Sequence, residues 1–167
     1  MMFRHLLALS ASALFLCTSA RADVLSISAM GFEGRFPATA GVDPPSQING
    51  VMKPGGATVM FAPVDFPAAG QICRMTMVYD DANGNEKITA RLIRKRIIIG
   101  SSTFDPPQIM ATVDSVGSAG TMQKVSTRAV APRTINETSS FYYVEVTAEN
   151  FNTALVGVQI EHKLTCP

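Results

Sequence analysis

The sequence predicts an all-β protein, a single antiparallel β-sandwich of jelly-roll or Greek-key type. Three observations lead there. Short runs rich in Val, Ile, Thr, Tyr and Phe recur from residue 58 to the end of the chain. Within the clearest of them apolar and polar residues alternate with period two, as on a pleated strand with one buried face. Clusters of Gly, Pro, Asn and Asp separate the runs, and beyond the N-terminal stretch no segment carries a helical period.

The N-terminus reads as an export leader. Arg4 supplies a short basic region, residues 6–20 are apolar or small without a charge, and Ala20-Arg21-Ala22 forms a small-x-small triplet before Asp23. This is the layout of a signal peptide cut after Ala22. An apolar stretch of about 15 residues falls short of the roughly 20 that span a bilayer. A lipidated Cys17 is disfavoured by the bulky Leu16 before it. The expected organisation is therefore a leader at 1–22, a first strand and Gly/Pro-rich loop at 23–58, and a sandwich core at 59–167, the last two forming one domain.

Removing the leader takes Arg4 and Arg21 away, leaving 12 basic against 13 acidic residues and a net charge of −1. Such a balance does not steer the chain to polyanions, so nucleic acid is not an expected partner. No later apolar run approaches the length of a membrane span. Cys73 and Cys166 remain as an even pair in a chain bound for the periplasm or the extracellular medium, which predicts a disulfide. It would close a loop of about 94 residues, worth up to ~4–5 kcal/mol in the loop-entropy model.

The elements follow in order. Residues 24–30 read as a first strand. Residues 31–58 contain six Gly and four Pro, too much punctuation for a helix or central strand, and are expected to form a long loop. Residues 72–79 alternate, with Cys73, Met75, Met77 and Tyr79 on one face and Ile72, Arg74, Thr76 and Val78 on the other. The Asn83-Gly84 turn signal then joins them to residues 87–96 as a predicted hairpin. Further strands are expected at 97–99, 108–114, 122–130, 141–148 and 154–163. In the last, Val156, Val158 and Ile160 are expected to share a face opposite Gln159 and Glu161. Arg94-Lys95-Arg96 reads as a charged gatekeeper ahead of the aggregation-prone Ile97-Ile98-Ile99.

Catalytic constellations are sparse. After leader removal His162 is the one histidine, expected as an ordinary exposed or half-exposed strand residue, and neither a zinc ligand set nor a Gly-x-Ser-x-Gly elbow is present. No metal or cofactor is expected. Asp81, Asn83 and Asn85, with Asp80, are spaced like the first oxygen ligands of a calcium loop. Glu86 stands where glycine is needed and Arg91 where the bidentate glutamate belongs, so a hairpin turn is the favoured reading. Carboxylates for glycoside hydrolysis would come from scattered positions such as Asp65, Glu145, Glu149 and Glu161. The chain lacks tryptophan, which weakens a sugar-stacking reading. Phe141, Tyr142 and Tyr143 are adjacent, so alternation exposes at most part of the trio, and a core role is the favoured reading.

Several segments carry a resemblance. Phe61-Ala62-Pro63-Val64-Asp65-Phe66-Pro67, Val78-Tyr79-Asp80-Asp81 entering an Asn/Gly turn, Arg91-Leu92-Ile93-Arg94, Ser140-Phe141-Tyr142-Tyr143-Val144-Glu145-Val146 and Leu155-Val156-Gly157-Val158-Gln159-Ile160 resemble a loose group of uncharacterised exported bacterial domains. The similarity covers roughly residues 59–162. It implies a small β-sandwich module and carries over no catalytic residue. The expected function is a non-enzymatic exported module that binds a protein or glycan partner or assembles with copies of itself. The alternatives are a small secreted carboxylate-dependent hydrolase and a carbohydrate-binding module.

Overall fold

The computed structural model describes residues 23–35, 43–48, 51–55, 58–66, 69–81, 87–98, 100, 105–117, 121–149 and 153–167. The expected leader at 1–22 lies outside the described residues. Eleven strands and one short 3-10 turn follow in order: β1 Asp23–Ser28, η1 Ala29–Gly31, β2 Glu33–Arg35, β3 Asp43–Ile48, β4 Val51–Gly55, β5 Thr58–Val64, β6 Gln71–Asp81, β7 Ile88–Arg96, β8 Gln108–Asp114, β9 Met122–Thr127, β10 Ser140–Ala148 and β11 Thr153–Lys163. No helix among the described residues is long and apolar enough to cross a membrane.

The strands form two antiparallel sheets, the sandwich class that the alternation predicts. One sheet runs β3-β4-β11-β6-β9, with β1 also paired to β11; the other runs β2-β5-β10-β7-β8. The chain changes sheet at every step except β3 to β4 and β7 to β8, so most consecutive strands lie in opposite sheets. Inward-facing side chains from both sheets fill that core, among them Met60, Met75, Met77, Tyr79, Leu92, Val144, Val146, Leu155 and Ile160. Tyr79 is the largest of the fully buried side chains. Its hydroxyl accepts the Val116 N–H at 2.9 Å and meets Gln123 Oε1 at 3.1 Å, so the polar tip is satisfied while the ring is buried.

Several expectations are corrected. The predicted hairpin of 72–79 with 87–96 does not form: β6 pairs with β11 and β9, whereas β7 pairs with β10 and β8 in the other sheet. A turn signal marks a chain reversal but does not name the partner strand, and here both strands take central places in separate sheets. The loop expected at 31–58 contains β2, β3 and β4, and η1 takes up the end of the first strand expected at 24–30. Its prolines are accommodated because β3 lies at a sheet edge and its register is broken between Asp43 and Ser46, around Pro44 and Pro45. Ile97 and Ile98 lie beyond the end of β7 and are exposed, so they are not a strand. The run expected at 122–130 ends at Thr127.

Two register irregularities also shift the predicted faces. On β6 the pairing skips Cys73, with Arg74 opposite Glu161 and Ile72 opposite His162. Ile72 therefore joins Met75, Met77 and Tyr79 in the core, and Cys73 does not share their face. On β11 the pairing skips Val156, so Leu155 and not Val156 turns inward with Val158 and Ile160. One extra residue in a ladder reverses the phase of everything before it.

Candidate functional site

The five-stranded sheet presents its outer face to solvent, and alternation decides what stands there. On β10, Tyr142, Val144 and Val146 point inward, leaving Phe141, Tyr143, Glu145 and Thr147 outward. On β5, Met60, Ala62 and Val64 are buried, so Phe61 and Pro63 are on the same outer side. Tyr143 is paired with Pro63 on β5 and Ile93 on β7; Glu145 is paired with Phe61 and Arg91; Phe141 faces Lys95.

Three aromatic rings thus share one face. Phe61 and Tyr143 lie 6.0 Å apart between ring centroids with their planes tilted by 55°, so the platform follows the sheet twist and is not flat. Phe141 extends it and is 63% exposed. The Arg91 guanidinium donates to Glu145 Oε1 at 3.1 Å, placing a polar pair at the border of the aromatic row. Burial, and next the negative charge of Glu145, push the Tyr143 phenol above its ordinary value of 10.0. The hydroxyl is therefore a neutral donor and acceptor throughout the physiological range.

At one end the row opens into a depression of about 560 Å³, lined by Pro63, Asp65, Phe66, Glu137, Phe141 and Tyr143 among others. Its wall is tied to the core. The Tyr142 hydroxyl accepts the Asn136 N–H at 2.6 Å, and the Phe66 ring meets Tyr142 edge-on at 5.1 Å and His162 at 5.7 Å. His162, expected to be at least half exposed, is only 6% exposed and is packed against Phe66. It follows Val158 and Ile160 inward at period two along β11.

The other sequence candidates disperse. The Cys73–Cys166 disulfide is formed, with a Cα–Cα distance of 5.3 Å. Asp80 and Asp81 end β6, while Asn83 and Asn85 lie outside the described residues. Among the described residues no group of three or more His, Cys, Asp or Glu gathers as a metal site. Of the carboxylates, Asp65 lines the depression, joined there by Glu137; both are exposed. Glu145 is engaged by Arg91, Glu149 accepts the Lys87 N–H at 3.2 Å, and Glu161 lies on the other sheet. Sequence reasoning did not single out Phe61 or Glu137. Alternation along 58–64 would have placed Phe61 outward, but its neighbour Tyr143 is 82 positions away in sequence, and only strand pairing unites them.

The fold and face define a β-sandwich with an aromatic outer surface. No family model matches the sequence, nor does any curated protein. Among solved structures, the chain is similar to a family 35 carbohydrate-binding module from Clostridium thermocellum, with a TM-score of 0.48, 12% identity, and coverage of 83% of this chain and 98% of that one. It is similar also to the C-terminal family 6 carbohydrate-binding module of a marine laminarinase from Zobellia galactanivorans, with a TM-score of 0.47, 15% identity and the same coverages. A family two carbohydrate esterase from Cellvibrio japonicus follows at a TM-score of 0.44 and 15% identity, covering 89% of this chain and 36% of that one. At these values no residue role passes from those proteins to this chain.

Proposed function

We propose that the chain is a non-catalytic exported module that binds a glycan across the outer face of the five-stranded sheet. The observation that carries the reading is the aromatic row of Phe61, Tyr143 and Phe141 beside the Arg91–Glu145 pair. A sugar ring has an apolar face of C–H groups and a rim of hydroxyls; the first packs on aromatic rings and the second pairs with fixed polar groups. Tyrosine and phenylalanine supply that surface in place of the absent tryptophan. The rim carboxylates Asp65 and Glu137 are exposed, whereas a carboxylic acid acting in hydrolysis needs a dry, apolar setting. The disulfide supports an oxidising, periplasmic or extracellular location.

Affinity electrophoresis and calorimetry against a panel of soluble polysaccharides test the reading. At least one polysaccharide is expected to bind, with Tyr143→Ala weakening it by about tenfold, a loss of ~1.4 kcal/mol. Absence of retardation across neutral and acidic polysaccharides overturns it. A second reading, self-assembly, is favoured by the exposed Phe141, Ile97 and Ile98, which line one shallow cavity with Lys95 and Arg96. Light scattering separates the two: a dimer that Phe141→Ser dissociates supports assembly, and a monomer at all concentrations removes it.

A further inference from the structure

The opposite side of the sandwich holds a second, smaller concavity of different chemistry. Arg74, Arg128, Arg133 and Lys163 line it, with Glu161 and the Cys73–Cys166 bridge beside them, in a volume of about 90 Å³. Four cations thus surround one carboxylate, in a chain whose formal net charge is +1. Glu161 is already shared, by Arg74 at 2.7 Å and Lys163 at 3.3 Å. Among the described residues no other acidic side chain lines the pocket. Even a terminal carboxylate on Pro167, which also borders it, would leave the cations ahead by two.

The walls are held by backbone bonds. The segment bearing Arg128 and Arg133 is tied down where Ile72 N–H donates to the Arg133 carbonyl, Ile135 N–H to that of Gly70, and Ala131 N–H to that of Met110, each at 2.8 Å. Arg133 Nη2 donates to the Arg128 carbonyl at 3.3 Å. On the other side the disulfide anchors Cys166, whose N–H donates to Gln71 Oε1 at 3.2 Å. A pocket ordered in advance loses little entropy on binding. Guanidinium forks match oxyanions in a bidentate manner, and the volume suits one compact anion and is too small for a sugar ring.

We propose that this pocket binds a sulfate or phosphate group, free or as a monoester on a larger molecule. It is independent of the aromatic face, which lies on the other sheet, so either reading can fail alone.

The test is titration of the purified protein with sodium sulfate and, separately, sodium phosphate, against sodium chloride at matched ionic strength, followed by calorimetry and amide chemical shifts. Dextran sulfate provides the ester arm. Saturable binding is expected, with shifts centred on residues 71–74, 128–135 and 161–166. Replacing both Arg128→Gln and Arg133→Gln is expected to weaken it by at least about tenfold, whereas Lys124→Gln, which removes one positive charge away from the pocket, leaves it intact. Should the double variant fail to fold by circular dichroism, Arg128→Gln alone, at an exposed position, is expected to weaken binding several-fold. Response to the free ions assigns a free anion, and binding of dextran sulfate alone assigns an ester. No response beyond chloride in any arm, or binding that the arginine variants leave unchanged, overturns the proposal.

Discussion

Gly157 offers a direct check on how β1 seals the sandwich. Ser28 is paired with Gly157 and Ile27 with Val158. A Cβ built on Gly157 would lie 2.6 Å from the Ile27 carbonyl oxygen and 3.4 Å from Ser28 Cα. Both are backbone atoms, so Gly157→Ala cannot be absorbed by a side-chain rotation and β1 must move outward. Overpacking of this kind costs about 1–3 kcal/mol. Against it, replacing glycine with alanine reduces unfolded-chain entropy, a gain of about 0.4–1 kcal/mol. The expected net loss is therefore about 1–2 kcal/mol, read as a lower urea midpoint at unchanged slope. Hydrogen exchange on the same variant should show lost protection concentrated in β1 and the facing part of β11, because Leu25 and Ile27 are the β1 side chains packed on the core. An unchanged midpoint, or protection lost elsewhere while β1 stays protected, would refute the close approach.

Three other outcomes are expected. Replacing Cys73→Ser together with Cys166→Ser opens a 93-residue separation and should cost about 2–5 kcal/mol, checked by thermal unfolding with and without reductant. Tyr79→Phe removes the hydroxyl that accepts the Val116 N–H at 2.9 Å and should cost about 0.5–1.5 kcal/mol in urea unfolding, with little change in the circular dichroism spectrum. For Glu161, burial raises the carboxyl, but hydrogen bonding to Lys163 and the charges of Arg74 and Lys163 outweigh it and hold it below its ordinary 4.5. A depressed folded value means stability present above the unfolded value and lost as pH falls through the folded one. Glu161→Gln should thus flatten stability against pH below about 4.5; a profile parallel to the parent in that range would exclude the linkage.

The aromatic depression and the basic pocket differ in physical terms. The outer face of the five-stranded sheet joins aromatic area with a neutral ion pair, suited to a ligand that is apolar on one side and hydroxylated on its rim. The outer face of the six-stranded sheet concentrates positive charge at the end pinned by the disulfide. Both surfaces are built on paired strands or on loops bonded to them, so side-chain substitutions in either should read out as binding changes with small effects on the fold.

Much of the architecture was legible before any coordinate. Period-two alternation in 141–148 set Tyr142 on the face opposite Phe141 and Tyr143 without saying which face is inward, and the limits of β8 at Gln108 and Asp114 agree with the predicted run. The compartment logic that paired Cys73 with Cys166 needed no geometry, because a pair of cysteines left in an exported chain has one partner each. Tertiary structure alone decided the rest. A local turn signal at Asn83-Gly84 has no means of telling β6 that its partners are β11 and β9 and that β7 belongs to the opposite sheet. Single unpaired residues at Cys73 and Val156 reverse which face is inward, and such irregularities arise from the register of distant strands. The edge position of β3 made room for Pro44 and Pro45 within a strand that local propensity reads as loop. The aromatic row and the basic pocket have the same origin: alternation says which side chains leave the core, but only long-range pairing determines which of them meet.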